Sequence, residues 1–453
     1  MRSSKLIIVA TVAVPALLIL TLALRFKADV AAAAPAETQL AAVGDGARPP
    51  TLALAPAASP ASPASAAAGR GPIIGFNLGY ATGVIDIGAD DASVTLKPSA
   101  QRALDAIQRD GFSDVRVMGL FSAAYVQRQG RNVFPALPAS AVQLLTDRGL
   151  RVLINIDSLP FLDQKRENGK WVVDSFAYRK LPGTDDGPDD DGGMQELDTR
   201  LHAFIDELAR RKLMDKVSFE LFNEPDGAKF FSGTVNEYSQ ILHEYVKVFR
   251  SVSPAIPNDR LLISGFTSSL VLDDSNYNAL DLGEYAGRVA AFRRFLFDLP
   301  KDPELSSLPL SFHWYPRNRI RGAAPERDPS KDIDSRVPVR AGSWVTEFNV
   351  TASMMSTYRD GFTVKGKHQP GYRETHAFSR DMQRLLDYAN AKELAGIYVF
   401  KLTNNDDAGQ ARANGAARLE LGLFDENGCP QEEYGELISV LHKTTTAVAG
   451  CAH

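Results

Sequence analysis

From Pro72 onward the chain repeats one pattern: a short apolar run, then an amphipathic stretch, then another apolar run. The apolar runs are I-I-G-F-N-L-G-Y (73–80), D-V-R-V-M-G-L-F (114–121), R-V-L-I-N-I-D-S (151–158) and V-S-F-E-L-F (217–222). They continue as R-L-L-I-S-G-F-T (260–267), L-P-L-S-F-H-W-Y (308–315), G-S-W-V-T-E-F-N-V (342–350) and A-G-I-Y-V-F-K-L (395–402). Runs this short and this β-branched read as buried strands. Helix-like stretches lie between them: Pro98 to Arg109, Ser140 to Arg148, Gln195 to Arg211, Val235 to Ser251, Leu282 to Leu299 and Arg373 to Ala391. Only the segment after the sixth run, Pro316 to Val339, is irregular and basic.

Strict alternation makes a parallel sheet with covering helices. Eight such units in roughly 330 residues favour a closed (β/α)8 TIM barrel over a doubly wound sheet. No G-x-G-x-x-G follows the first run, which removes the main support for a dinucleotide fold. Small β additions near the C-terminus are compatible with this reading.

In such a barrel the functional face is the C-terminal ends of the strands. Asn77 and Tyr80 stand there on the first strand, Arg116 on the second, and Asn155 and Asp157 on the third. The fourth supplies Asn223 and Glu224, the sixth His313, Trp314 and Tyr315, the seventh Glu347 and Asn349, and the eighth Lys401, Asn404 and Asn405. Pro225 stops the fourth strand and leaves Asn223 and Glu224 at its mouth. Two carboxyls, several amides and stacking aromatics suit a sugar ring; phosphate chemistry calls for a glycine-rich loop instead. Glycoside cleavage needs one protonated carboxyl at the leaving oxygen and one ionised carboxylate across the ring. Asn223 is placed to bond a sugar 2-hydroxyl, and Arg116 and Tyr315 to keep Glu347 ionised and oriented.

Asn223-Glu224-Pro225, His313-Trp314-Tyr315, Trp344-Val345-Thr346-Glu347 and the closing G-L-F-D-E-N-G (422–428) resemble the clan A retaining glycosidases. The similarity is nearest glycoside hydrolase family 39, in particular its membrane-anchored bacterial members linked to exopolysaccharide production, and it covers roughly 72–445. The resemblance implies a double displacement, with Glu224 as general acid/base and Glu347 as nucleophile, their carboxyl groups about 5–5.5 Å apart. It implies no metal and no organic cofactor. One departure stands out: strand eight reads Y-V-F-K-L-T-N-N, without the tryptophan that many clan members use as a sugar platform. Phe400 is the candidate substitute, and Lys401 points to an anionic or otherwise decorated sugar.

Leu6 to Leu24 carries no charge and is bracketed by Arg2 and Lys5 before and Arg25 and Lys27 after. That run reaches the length of a membrane span, about 20 residues, and exceeds the core of a cleavable signal. An uncleaved signal-anchor over 1–27 is therefore expected, with a cleaved signal peptide as the alternative. Residues 28–71 are rich in Ala, Pro, Ser and Gly, the composition of a disordered tether. Residues 72–453 form the catalytic barrel. The expected location is the inner membrane with a periplasmic barrel, or the periplasm or exterior if the leader is cleaved. Basic and acidic residues are interspersed around a net charge of -5, which excludes a nucleic-acid surface. Cys429 and Cys451 rule out a cysteine scaffold or zinc cluster and leave either one late disulfide or two thiols.

Other features read as follows. The acidic run Asp185 to Asp191 is a solvated loop, since Gly187 and Pro188 fall where calcium ligands belong. The excursion 159–193, with Trp171, stands at the functional face as a groove wall or a lid. Trp344 is expected to pack against the helices, and R-N-R-I-R-G (317–322) is either a solvated face or a contact for acidic glycan.

The resulting expectation is a retaining glycoside hydrolase that cleaves a β-linked bacterial extracellular polysaccharide within the chain. Its partners are that polymer, the inner membrane and the polysaccharide export machinery. Two alternatives stay open: an exo-acting, xylosidase-like β-glycosidase of plant oligosaccharides, and a non-catalytic glycan-binding scaffold.

Overall fold

A computed structural model describes residues 71–442, apart from 157–163, 174–191, 272–281, 317–326, 351–361, 405–421 and several shorter stretches. Eight parallel strands close on themselves: β1 (Ile73–Tyr80), β2 (Asp114–Met118), β3 (Arg151–Asn155), β4 (Val217–Glu220), β5 (Leu261–Phe266), β6 (Leu310–Trp314), β7 (Trp344–Phe348) and β8 (Gly396–Phe400). Each pairs with its sequence neighbours, and β8 closes on β1 from Ile73↔Gly396 to Asn77↔Phe400. This is the (β/α)8 barrel that the alternation predicts.

The main helices cover the barrel: α1 (Pro98–Arg109), α2 (Ala136–Thr146), α3 (Gly192–Arg210), α4 (Val235–Ser251), α5 (Leu282–Asp298), α6 (Pro329–Ile333), α7 (Ala377–Ala391) and α8 (Glu432–His442). Pro98 opens α1 at a position where its missing N–H costs nothing, and Ala103, Leu104 and Ile107 form the buried stripe. In α4 a capping box fixes the start: Thr234 Oγ1 accepts from Glu237 N, and the Glu237 carboxylate accepts from Thr234 N. Its buried face, Tyr238 to Phe249, meets Phe266, Phe292 and Phe219. The main core is this layer between barrel and helices.

A second, small cluster fills the barrel itself: Leu153, Leu262 and Tyr398, with Trp344 stacked on Tyr398 at 5.7 Å. Trp344 therefore points inward and not to the helices. Register shifts in both of β7's pairings explain this, because a bulge breaks the alternation and lets Trp344 and Glu347 face the same side. The ring leaves no room on its neighbour: a Cβ on Gly396 would stand 2.3 Å from Trp344.

Several boundaries differ from the sequence reading. α2 starts at Ala136 rather than Ser140, and α7 at Ala377 rather than Arg373. The irregular stretch 316–339 contains α6, capped by the Asp328 side chain. α8, not foreseen, packs on α7, and bridges Thr403↔Phe424 and Phe424↔Pro430 supply small β additions beyond β8. Cys429 is disulfide-bonded, which corrects the two-thiol reading; Cys451 is the chain's other cysteine. Among the described residues no helix is long and apolar enough to cross a membrane. The 1–27 leader, the tether up to residue 70, Asp157, Asn405, the acidic run 185–191 and the basic run 317–322 lie outside the described residues.

Candidate active site

The fourth strand ends in a forced geometry. Phe222 and Glu224 both have positive φ, 118° and 45°, which is rare for residues with a Cβ. Asn223 bridges to Gly265, Glu224 N donates to Gly265 O at 2.7 Å, and Gly265 N donates to Phe222 O. Strand β5 thus clamps the turn that presents Glu224. Strained backbone held this firmly is characteristic of functional sites.

Glu347 rises from β7 and accepts three hydrogen bonds. Arg116 Nη1 donates to Oε1 at 2.7 Å, Tyr315 Oη donates to Oε2 at 2.6 Å, and Asn77 Nδ2 approaches Oε1 at 3.4 Å. A cation and a hydroxyl donor both favour an ionised carboxylate. Burial, then the Glu347 charge, pushes the Tyr315 hydroxyl well above its usual value, so it stays a donor. Arg116 also donates to Asn223 Oδ1 at 2.8 Å, which fixes that amide with its NH2 end free to turn outward.

His313 stands between the two carboxylates. Its Nδ1 lies 2.9 Å from Glu224 Oε1 and 3.5 Å from Glu347 Oε2. Burial opposes the imidazolium, but the Glu347 charge and the Glu224 hydrogen bond outweigh it and raise His313 above its ordinary value. Nδ1 is then a donor to Glu224. One oxygen of each glutamate and a ring nitrogen of His313 lie within 4.8 Å of one another. These distances would admit a cation, yet each atom is already engaged by a donor or acceptor of the protein, as in an acid–base pair.

Of the residues singled out in the sequence, Glu224, Glu347, Asn223, Arg116, Asn77, His313 and Tyr315 meet here. Trp314 does not. It is fully buried, stacked on Phe348 at 5.8 Å in the layer facing the helices, because alternation along β6 turns it opposite to His313. Phe400, partly exposed, meets Tyr315 edge-on at 6.1 Å and is the aromatic of β8 at the site. Lys401, buried, follows it with its carbonyl tied to Leu423 N.

Glu220 is the functional residue that strand-end reading missed. It is fully buried on β4, with Oε2 accepting from Arg116 Nε at 2.7 Å and Asn155 Nδ2 at 2.5 Å, and Oε1 from Ser311 Oγ at 2.7 Å. Burial alone would raise its carboxyl; Arg116, His313, Thr346 and Ser311 overcome this and hold it below the usual range. The signal was present: in V-S-F-E-L-F the apolar Phe219 and Leu221 face the helices, so Glu220 faces inward.

No protein-family model matches the chain, and no curated protein does. Solved structures do. An exo-β-1,4-mannosidase from Opitutaceae bacterium strain TAV5 superposes with a TM-score of 0.50 at 14% identity, over 83% of this chain and 60% of its own. This chain thus spans about 60% of that enzyme's length. A GH39 enzyme from Xanthomonas axonopodis pv. citri gives 0.42 at 12% identity, over 84% and 68%. A family 1 β-glucosidase from Thermotoga maritima gives 0.45 at 12%, over 83% and 98%. At such identities the likeness to the mannosidase speaks for the barrel fold.

Proposed function

We propose that this chain is a retaining β-glycoside hydrolase. The observation that carries the proposal is the pair Glu224 and Glu347, at opposite sides of one barrel mouth with oxygens within 4.8 Å and His313 between them. Oxygens this close can serve one sugar, one carboxyl at the leaving oxygen and the other at the anomeric carbon, as a double displacement needs. Glu347, held by Arg116 and Tyr315, attacks the anomeric carbon and forms an ester as the glycosidic C–O bond breaks. Glu224 gives its proton to the leaving oxygen, then takes one from the water that hydrolyses the ester. Asn223, held by Arg116, bonds the 2-hydroxyl, where such a contact tightens in the transition state.

The substrate we assign is a β-linked extracellular polysaccharide, cleaved within the chain, by a barrel tethered to the outer side of the inner membrane. Three features support this reading: the charge-bracketed apolar run 6–24, the Ala/Pro tether, and the disulfide at Cys429, which belongs to an oxidising compartment. Anchoring confines the catalyst to the surface from which polymer emerges.

The test is trapping with activated 2-fluoro glycosides alongside aryl β-glycosides and purified bacterial polysaccharides. A covalent mass increment mapped to Glu347 is expected. In Glu224→Gln, kcat/KM should fall about 10²–10⁴-fold on aryl glycosides with poor leaving groups and far less on activated ones, whose first step needs no acid. Glycan binding with no adduct and no turnover across the panel would leave the scaffold reading in its place.

A further inference from the structure

We infer that Glu220 is a positioning residue: its buried carboxylate shares Arg116 with Glu347 and so sets how much positive charge the attacking carboxylate feels. The kinetic consequence rests on the hydrolase reading above; the electrostatic claim rests on the geometry alone.

Glu220 is too deep to touch a sugar. Both oxygens are occupied within the barrel, by Arg116 and Asn155 on one and Ser311 on the other, and the side chain is fully buried. Arg116, equally buried, divides its guanidinium among Glu220 at 2.5 Å, Glu347 at 2.7 Å and Asn223 at 2.8 Å, with Met118 Sδ a weak fourth acceptor at 3.1 Å. One cation therefore serves two carboxylates. Were Glu220 neutral, Arg116 would face Glu347 alone in a poorly screened interior, where a nearby opposite charge moves a carboxyl by whole pH units.

The second cation of the site also reaches Glu220. A Cβ built on Gly265 would lie 2.4 Å from His313 Nε2 and 2.9 Å from Glu220 Oε1. The far side of the imidazole and the far oxygen of Glu220 thus converge on one backbone point that only a glycine leaves open. His313 Nε2 is buried and makes no hydrogen bond. Its charge, when present, is balanced by Glu220 on one side and by Glu224 and Glu347 on the other.

The groups facing Glu347 are Arg116 from β2, His313 and Tyr315 from and just beyond β6, Asn77 from β1, and Glu224 beyond β4. Removing the Glu220 charge leaves these in place. It withdraws one repulsion from Glu347 and frees Arg116 for it, and both effects stabilise the Glu347 anion. A more stable anion titrates lower and attacks more slowly.

The experiment follows the Glu347 carboxyl by 13C NMR against pH in wild type, Glu220→Gln and Glu220→Asp, with the resonance assigned by its loss in Glu347→Gln. The Glu347 midpoint should fall by about one pH unit in Glu220→Gln and stay near the wild-type value in Glu220→Asp, which keeps the charge. In step, kcat/KM on an activated aryl β-glycoside, which reads ester formation, should fall about tenfold in the Gln variant, with its acidic limb moved to lower pH. An unmoved midpoint in Glu220→Gln, or equal shifts in both variants, would overturn the inference. Should the Gln variant not fold, neutron diffraction on the wild type decides: Glu220 without a deuteron near pH 5 is expected, and a deuterated Glu220 overturns it. A wild type that turns over no glycoside would defeat the hydrolase reading while leaving the NMR comparison intact.

Discussion

Asp226 lies two residues beyond Glu224, and its carboxyl is fully buried. Thr267 N donates to Oδ1 at 2.9 Å and Thr267 Oγ1 donates to Oδ2. Burial still dominates, and with the nearby Glu224 charge it raises Asp226 from 3.8 to about 6. Between those values the folded chain keeps a proton that the unfolded chain has released, so stability falls as pH rises through this window. The loss is complete above pH 6, on the order of 3 kcal/mol. Asp226→Asn should therefore melt a few degrees above wild type at pH 7.5, and the gap should close toward pH 4, as read by calorimetry. A gap independent of pH would show that charge burial is not its cause. Residues such as this show what a linear reading can and cannot see. The two glutamates stood out because they end strands. Asp226 and Glu220 did not, since their meaning comes from what surrounds them: Thr267 from after β5 in one case, Arg116 and Ser311 from other strands in the other. Trp344 departs from the alternation for a different reason, because a bulge in β7 leaves no mark in W-V-T-E-F.

Single elements carry the site through close fits, and two of these are testable. Strand β5 needs a residue without a side chain at position 265, where His313 Nε2 and Glu220 Oε1 occupy the space of a Cβ. Gly265→Ala must push the imidazole aside by about 1 Å, a displacement that costs on the order of 10²-fold in kcat. Circular dichroism should show the barrel retained while activity falls; full activity would mean that His313 tolerates another position. Helix α4 depends on its start. Thr234→Ala removes the Oγ1 that accepts Glu237 N and leaves the Glu237 side chain to hold the first turn alone. About 1 kcal/mol of stability should be lost in a urea titration, with kcat unchanged. At this scale α1 and α4 were legible to the residue, since a proline start and a capping box are local signals. Apart from β1, the strands are shorter than their apolar runs. Residues past a strand's end, such as Leu120 and Phe121 beyond β2, are buried by packing, so hydrophobicity outlasts the strand there. Helix α8 was missed because E-E-Y-G-E-L-I-S-V-L-H breaks its stripe with a glycine.

At the scale of the whole molecule the site exists only because the barrel closes. Arg116 and Glu347 are 231 positions apart in the chain, and Asn77 and Glu347 are 270 apart, so no local fragment assembles the pair. The alternation that foretells closure is a global property of the sequence, which is why the architecture could be read before any contact was known. Gly69–His453 forms a compact unit by itself, and every contact of the candidate site falls within it. If the N-terminal run only places the barrel at a membrane surface, chemistry and location should separate cleanly. The fragment 69–453 should match the full chain in melting temperature and in kcat/KM on a small aryl β-glycoside, because neither reports on anchoring. Cell fractionation should then put the full chain with the inner membrane and the fragment, exported behind a cleavable signal, in the soluble periplasm. On polymer still emerging from the membrane the full chain should act faster than the fragment at equal concentration, since tethering raises the effective concentration of enzyme at that surface. Equal rates on nascent and purified polymer for both forms would remove the reason for an anchor. A full chain recovered in the soluble fraction, shortened near the alanine run 31–34, would mean that the leader is a cleaved signal.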